Sequence, residues 1–446
     1  MLSIPHSTGI EKHYSQPFAA LLSSQGLLVN EQEQARDAEM FQTLRSSAVG
    51  NACNASDSGK TANRRYHLLL QELSPRCDGY HEELKMEFTW SDAFRVDLGK
   101  IVNNSFHFEW ASILWNLGAI DSAMGAATDR SSEDGIKKAC KHFMCAAGTY
   151  DFIGAKCVKS IPAAAGSSLP TNLQPECLEM AQNLCLAQAQ VCFYEKAVRD
   201  KKAGNMKSAT IAKIAQQAGK YYSAAWELAE KAVLMRGINK LWSRNCEFQA
   251  NTFHGAAAYW QSQADKEKAD ASCKGYGDEV RRLQVAERFL SQAVAVGRVA
   301  SLSSATVAAA EGLLGAAISA RERAVKDNQS IYMSPIPAEA ELEGISPISM
   351  VRPAAASMAT DAADPQETLF RYLLPQHLQA QIMYLQEQAD SSFRRATNTA
   401  TDATNELRGT LGSLGLPGAL EAYKDELLGV GAGQVLPDSL WGKVES

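Results

Sequence analysis

The side chains best suited by type to chemistry are the thiols of Cys140 and Cys145 and the imidazole of His142, with Cys157 further along the chain. Thiolates and imidazole are natural metal ligands and nucleophiles. Residues 140 and 142 lie about 200 degrees apart around a helix, so the three side chains do not converge on one metal from one face. We therefore interpret the cysteines as buried contacts between helices, and we predict no metal site and no cofactor.

Short catalytic signatures are also missing. The sequence holds no GxGxxG, no GxxxxGK followed by Ser or Thr, no HExxH and no GxSxG pattern. These are the main signatures of nucleotide-binding, zinc-protease and serine-hydrolase sites. Paired carboxylates are too common in the chain to identify a general acid and base. We predict that the chain is not an enzyme.

Another run of residues favours binding over chemistry. Residues 186–222, LAQAQVCFYEKAVRDKKAGNMKSATIAKIAQQAGKYY, place Phe193, Ile211 and Ile214 beside small alanines and basic lysines on two consecutive segments of helical period. Phe193 is near the end of the first helix and the isoleucines are near the start of its antiparallel partner, so they meet at one end of the pair. An apolar spot with a basic rim is expected of a groove that binds an amphipathic helix.

This run resembles the Bro-one domain of the ALIX-type endosomal adaptors, and other blocks of that family follow in order. They are FTWSDAF at 88–94, LWNLGAIDS around Asn116, EDGIKKACKHFMCAAGTY at 133–150, YGDEVRRLQVAERFL at 276–290 and DNQSIYMSPIP at 327–337. A later block, LRGTLGSLGLPGALEA followed by LPDSLW, resembles the start of the V-shaped helical domain of the larger family members.

The resemblance implies both a function and a site. Family members use a hydrophobic patch on a concave face to bind the C-terminal amphipathic helix of an ESCRT-III subunit in multivesicular-body sorting. The residues predicted for this patch and its charged rim are Phe193, Thr210, Ile211, Ile214, Lys137, Lys141, Lys207, Lys213 and Glu133. Thr210 stands where a larger aliphatic side chain is usual. Phe193 and Ile214 are expected to be partly exposed.

Other positions carry lesser expectations from the resemblance. Tyr332 matches a tyrosine that is phosphorylated in some relatives, so it is a candidate regulatory residue, and Met350 and Val351 match a second apolar contact by position alone. Deubiquitinases or ubiquitinated cargo would bind through regions absent from this chain. Two alternatives stay open: a pH-signalling scaffold of the same family that uses the same groove, and an unrelated helical-repeat scaffold that binds peptides.

Composition restricts the partners. The net charge of −6 and the pI near 5.8 argue against general nucleic-acid binding, which needs a basic excess. No apolar run approaches the roughly 18 to 20 residues of a membrane span, the N-terminus does not resemble a signal peptide, and the C-terminal KVES has no cysteine for prenylation. We expect a soluble cytoplasmic protein that is recruited to endosomes and reaches membranes only through partners.

The elements that must position the site are mainly helices. The alternation at 84–90 predicts a strand of a small N-terminal sheet, and helical period begins at Ser105. Helices are predicted at 133–153, 173–202, 206–235, 237–268, 276–300, 303–327 and, after a break, within 366–424. Without a fixed 34-residue repeat, the pairs indicate a curved, irregular helical-hairpin solenoid of tetratricopeptide-like form.

Domain boundaries follow from composition. A Pro-bearing extended segment after Asp327 is expected to pack back across the helices, and SMATDAADPQ is interpreted as a linker. We predict a Bro-one domain at 1–360. Residues 361–446 are predicted to hold the linker and the first helical segment of a V-type domain that is truncated here.

Overall fold

The structure is a computed structural model, and it describes residues 1–14, 17–18, 31–77, 80, 84–95, 99–162, 169–231, 234, 237–354 and 369–429. The chain divides into two compact units, Met1–Pro375 and Gln376–Ser446. The described residues form eleven α-helices and a two-stranded sheet. The predicted mainly α class with a small N-terminal sheet is therefore confirmed.

In its described part, the first unit contains nine α-helices. They are α1 Glu31–Gly50, α2 Asp57–Cys77, α3 Phe106–Ala127, α4 Glu133–Phe152, α5 Pro175–Lys202, α6 Ser208–Ala229, α7 Lys240–Ser272, α8 Tyr276–Val299 and α9 Ser304–Asp327. From α3 onward each helix packs against the next one along the chain. The boundaries agree with the predicted hairpins within a few residues, except that α6 ends at Ala229 rather than at 235.

The small sheet is built from the segment in which apolar and polar residues alternate. Strand β1 (Phe88–Ser91) pairs antiparallel with β2 (Lys100–Asn103), and Trp90 also bridges to Gly9 in the N-terminal segment. The side chain of Trp90 is buried. Residues 84–88 alternate between buried and exposed side chains, as a period of two predicts, but Phe88, Thr89 and Trp90 are all buried, so β1 is covered on both faces.

A buried ion pair joins the sheet to the surrounding helices. Arg45 of α1 and Glu109 of α3 both have 0% exposed side chains, and Arg45 Nε lies 2.8 Å from Glu109 Oε1. The indole of Trp90 and the hydroxyl of Tyr66 on α2 donate hydrogen bonds to the same carboxylate. Each of these bonds contributes to the stability of the fold, because an unpaired charge in a low-dielectric core raises the free energy of the folded state.

An extended segment follows α9, as the sequence predicts, and we call residues 333–354 the arm. It runs across successive helices of the first unit through hydrogen bonds to its backbone. Arg281 Nε of α8 donates to the carbonyl of Pro337 at 2.7 Å, Ile348 N donates to the carbonyl of Lys213 on α6 at 3.2 Å, and Ala354 N donates to the carbonyl of Met144 on α4 at 3.0 Å.

Gln190 of α5 holds the centre of the arm. Its side chain is fully buried, and its Nε2 donates to the carbonyls of Ile348 at 2.8 Å and Ile214 at 3.2 Å. Its Oε1 accepts a hydrogen bond from the backbone N–H of Met350 at 2.9 Å. The Gln190 amide therefore pairs with two backbone groups of the arm and one of α6. These bonds use both N–H donors and the oxygen acceptor of the amide.

Two glycines lie where the arm comes closest to the helices. A Cβ atom at Gly148 of α4 would be 2.2 Å from the carbonyl oxygen of Ala354, and one at Gly277 of α8 would be 2.0 Å from that of Pro335. No side chain fits at either distance, so the arm requires glycine at both positions.

The first unit continues after residues 355–368, which are outside the described part. The ring of Phe370 stacks on Phe18 with centroids 4.3 Å apart, and Phe370 N donates to Asp37 Oδ2 at 2.7 Å. The segment before Pro375 therefore contributes to the core of this unit. The boundary predicted at residue 360 falls on residues that the structure does not describe.

In the second unit, two helices are described, α10 Gln376–Ser413 and α11 Leu416–Gly429. Helix α10 buries no residue, and apolar side chains such as Leu385 and Phe393 are largely exposed along it. The predicted helical segment is present. The LPDSLW block lies beyond the described residues.

Replacing Glu109 by Gln tests the buried ion pair. The substitution keeps the shape of the side chain but leaves the Arg45 charge buried without its counterion, so the free energy of unfolding should fall by about 3–5 kcal/mol. The matched control is Glu87→Gln, which removes an exposed pair with Lys12 at 3.1 Å and should cost less than about 1 kcal/mol. Urea unfolding followed by circular dichroism measures both, and equal losses would contradict the assignment.

Replacing Gln190 by Met tests how the arm is held. The variant removes three hydrogen bonds and should speed amide hydrogen exchange in residues 345–354, at a cost of about 1–3 kcal/mol. Gln188→Met is the control, because the equally buried Gln188 amide bonds instead to the backbone N–H and carbonyl of Leu2. Its effect should be confined to the N-terminal segment. Unchanged exchange of the arm in the Gln190 variant would refute this role.

Candidate functional site

Phe193 lies on α5 one helical turn after Gln190, so the two side chains are neighbours on the same face. It is half-buried and packs against a cluster whose buried members are Ala197, Ile211 and Ile214. The structure thus brings together the three apolar residues that the sequence predicts for one end of the α5–α6 pair. Phe193 is partly exposed, as expected.

The expectation that Ile214 is partly exposed is wrong. Ile214 is 3% exposed and Ile211 is 0% exposed. Both fill the contact between α5 and α6, where Trp260 of α7 also packs against them, and the Ile214 carbonyl is tied to Gln190. The isoleucines therefore support the surface from within, while Phe193 provides accessible apolar area.

Thr210 and two predicted lysines lie at the start of α6. Gly204 closes the turn before this helix with φ of 83°, a left-handed conformation that glycine adopts without strain. Thr210 is half-buried, and the described residues provide no hydrogen-bond partner for its hydroxyl. Lys207 is exposed at the N-cap, and Lys213 is half-buried with its carbonyl bonded to Ile348 of the arm.

Glu133 and Lys137 form a small charged group with a lysine that the sequence analysis missed. Glu133 Oε1 lies 2.9 Å from Lys196 Nζ and 3.2 Å from Lys137 Nζ. The hydrogen bond from Lys196, followed by that from Lys137, lowers the pKa of the Glu133 carboxyl. Lys196 is one turn beyond Phe193 on α5. The signal that could have found it is this spacing of three residues.

The arm adds exposed apolar side chains, and of these only Met350 is expected from the resemblance. Ile348 is 39% exposed and Met350 is 45% exposed, and Gln190 bonds to the carbonyl of Ile348 and the backbone N–H of Met350. Val351 is buried in the main core instead. Gln190 therefore holds Ile348 and Met350 of the arm against α5, one helical turn before Phe193. We call Phe193, Thr210, Ile348 and Met350 the apolar surface.

Lys141 belongs to a different environment from the other predicted lysines. It lines a pocket between α2 and α4, together with Lys138 and His142 of its own helix and Lys60 of α2. Its membership of the ESCRT-III-binding rim stays a prediction.

The thiols and the imidazole of the first sequence motif point in different directions. Cys140 is buried, and its Sγ donates to the carbonyl of Ala189 at 3.7 Å, while His142 Nδ1 lies 2.9 Å from Asp121 Oδ1. Burial raises the pKa of the Cys140 thiol to about 11, so it is protonated near neutral pH. Among the described residues, no group of three His, Cys, Asp or Glu side chains is arranged to hold a metal ion.

Tyr332 is the last residue of the short helical turn Asn328–Tyr332 that follows α9, and it is 37% exposed. Its ring stacks on Tyr276, with centroids 3.5 Å apart and an interplanar angle of 7°. Its flanking residues Ile331 and Met333 are more exposed, at 66% and 79%. A regulatory role for Tyr332 stays a prediction.

None of the helices in the described ranges has the length and apolar character needed to cross a bilayer.

Comparison with known proteins identifies relatives along most of the chain. The chain is 31% identical over 392 residues to the vacuolar protein-sorting protein BRO1 of Gibberella zeae, covering 84% of this chain and 38% of that protein. It is also 31% identical over 355 residues to the pH-response regulator protein palA/RIM20 of Emericella nidulans, covering 77% of this chain and 40% of the relative. The chain thus spans about two-fifths of the length of these curated relatives.

Solved structures share the fold. A structure of ALIX in complex with the SIVmac239 PYKEVTEDL late domain superposes with a TM-score of 0.78 at 24% identity, covering 94% of this chain and 58% of that chain. An ALIX BRO1 CHMP4C complex gives a TM-score of 0.69 at 25% identity, and the match covers 83% of this chain and 99% of that chain. The family model described as "BRO1-like domain" matches residues 1–392. With a match over most of its length, the chain belongs to the BRO1-like domain family.

Proposed function

We propose that this chain is a non-enzymatic adaptor that binds the C-terminal amphipathic helix of an ESCRT-III subunit in endosomal multivesicular-body sorting. The observation that carries the proposal is the half-buried Phe193 of α5, with the exposed Ile348 and Met350 of the arm bonded to Gln190 one helical turn before it. The solved complex of the ALIX BRO1 domain with CHMP4C supports it, because that domain is covered almost completely by this chain.

The chemistry of the apolar surface suits a helical ligand. An amphipathic helix presents apolar side chains at spacings of three and four residues, and Phe193, Ile348 and Met350 offer several apolar contacts for such a stripe. Lys207 is exposed at the N-terminus of α6 and would face acidic residues on the ligand. Lys137 would attract an acidic ligand less strongly, because Glu133 already forms ion pairs with Lys137 and with Lys196.

The cellular setting follows from the partner. The protein would be cytoplasmic and recruited to endosomes by the ESCRT-III subunit, with membranes contacted only indirectly. Deubiquitinases or ubiquitinated cargo would bind through regions that correspond to the unmatched part of the relatives, because the match covers about two-fifths of the curated relatives named above.

A second candidate has equal support from the relatives. The palA/RIM20 protein is as similar as the BRO1 protein, at 31% identity, so a pH-response scaffold fits the comparison equally. The same apolar surface would serve in both functions, which differ in what the adaptor recruits. Complementation separates them: restored vacuolar cargo sorting in a fungal strain lacking BRO1 favours sorting, and restored alkaline-pH response in one lacking palA/RIM20 favours signalling.

Phe193→Ala tests the surface directly. Titrating labelled C-terminal peptides of all the host's ESCRT-III subunits and following fluorescence anisotropy should show at least about tenfold weaker binding to the variant, as expected for a central aromatic contact. Phe289→Ala is the matched control, because Phe289 is a half-buried phenylalanine on α8 and its removal should leave peptide affinity unchanged.

The stability of the variant separates a contact residue from a core residue. Ile214→Ala should lower the free energy of unfolding by about 2–5 kcal/mol, because it empties a buried position. Phe193→Ala should lower it by much less. If Phe193→Ala matched the Ile214 loss, or if no peptide bound, an unrelated role as a helical-repeat scaffold would replace the proposal.

Thr210→Ile tests the position at which this chain departs from the family. The larger side chain adds apolar contact area and removes a hydroxyl that a bound helix would desolvate, so the dissociation constant should fall by about twofold to tenfold. Thr210→Val is the control, because it removes the hydroxyl without adding much area and should give a smaller gain. Weaker binding by a folded Ile variant would mean that the hydroxyl bonds to the ligand.

A further inference from the structure

A basic pocket lies between the first turns of α2 and the middle of α4, and the proposed adaptor function does not use its α2 side. Its volume is about 330 Å³. The lining residues are Asp57, Lys60, Thr61, Arg64, Lys138, Lys141, His142 and Cys145. Four of these carry a permanent positive charge and one carries a negative charge, in a protein whose net charge is −6.

A buried carboxylate orients the floor of this pocket. Asp121 of α3 has a 0% exposed side chain, and its Oδ1 lies 2.7 Å from Lys60 Nζ and 2.9 Å from His142 Nδ1. The ion pair with Asp121 holds Lys60, and the contact at Nδ1 leaves Nε2 as the ring nitrogen of His142 that remains for a ligand. Both side chains are thereby fixed where they line the pocket.

Two further lysines of the pocket, Lys138 and Lys141, differ from Lys60 in having no ion-pair partner among the described residues. Lys138 and Lys141 are exposed on α4, and no carboxylate in the described residues forms an ion pair with either. Asp57 is the acidic residue of the lining, on the opposite helix. Two ammonium groups without counterions, above a fixed Lys60, form a positive field that is concentrated in one small cavity.

We propose that this pocket binds a small ligand that carries more than one phosphate group, either free or as the headgroup of a lipid. Lysine and arginine are the usual phosphate partners, and cations from two helices can contact separate phosphates at once. The volume is at the lower limit for small-molecule sites, so a compact polyphosphorylated ring fits better than a nucleic acid or a protein segment. This inference does not depend on the proposed ESCRT-III partner.

The test measures binding of inositol hexakisphosphate to the whole chain by isothermal titration calorimetry. Lys138→Gln should weaken binding by about threefold or more, and Lys138→Gln combined with Lys141→Gln by about tenfold or more. Asp57→Asn should tighten binding, because it removes the carboxylate that repels the phosphates. Lys220→Gln, which removes an exposed lysine of α6 and the same unit of charge, is the matched control and should change affinity by less than about twofold.

A second arm identifies the source of the phosphates. Flotation with phosphatidylcholine vesicles that contain phosphatidylinositol bisphosphate, with and without competing inositol hexakisphosphate, separates a lipid headgroup from a free ligand, and either result supports the pocket. Absence of binding to both probes refutes the proposal, as does equal weakening by Lys138→Gln and Lys220→Gln. Because Lys138 is outside the apolar surface, ESCRT-III peptide binding by Lys138→Gln shows separately whether the proposed function holds.

Discussion

The buried amide of Gln190 is the interaction on which the candidate site depends. The arm is extended backbone without a sheet partner, so its polar groups need hydrogen bonds from the helices that it crosses. Gln190 supplies them at the point where the arm passes α5 and α6, and it also pairs with the Ile214 carbonyl. The apolar surface is therefore composite: α5 provides Phe193, α6 provides Thr210, and the arm provides the exposed Ile348 and Met350.

Most of the fold could be predicted from the sequence because its elements are local. The three-and-four spacing of apolar residues after Ser105 is enough to place α3, and the short Gly-bearing connection at Gly204 indicates a hairpin between α5 and α6. The Arg45–Glu109 pair could not be predicted. Its two residues are 64 positions apart, and a charged residue on a helix ordinarily indicates a solvated face.

The site was predicted less completely, for a related reason. Helical period shows that Ile211 and Ile214 share a face, but it does not show which helix covers that face, and α5 and α7 cover it. The same limit applies to the lysines of α4. Lys137 and Lys141 are one turn apart, yet the first pairs with Glu133 and the second lines the pocket with α2. The arm residues were hardest to predict, because extended backbone has no periodicity that reports its partners.

Gly148 and Gly277 have a consequence for how this unit folds. Stacked helical hairpins contact mainly their sequence neighbours, so they form through local contacts and without a long search. The arm adds contacts between residues far apart in the chain, from Pro335 against Gly277 to Ala354 against Gly148. These can form only after α4 and α8 have reached their final separation. Docking of the arm thus links α4 and α8, which three helices separate along the chain, and makes their unfolding more cooperative.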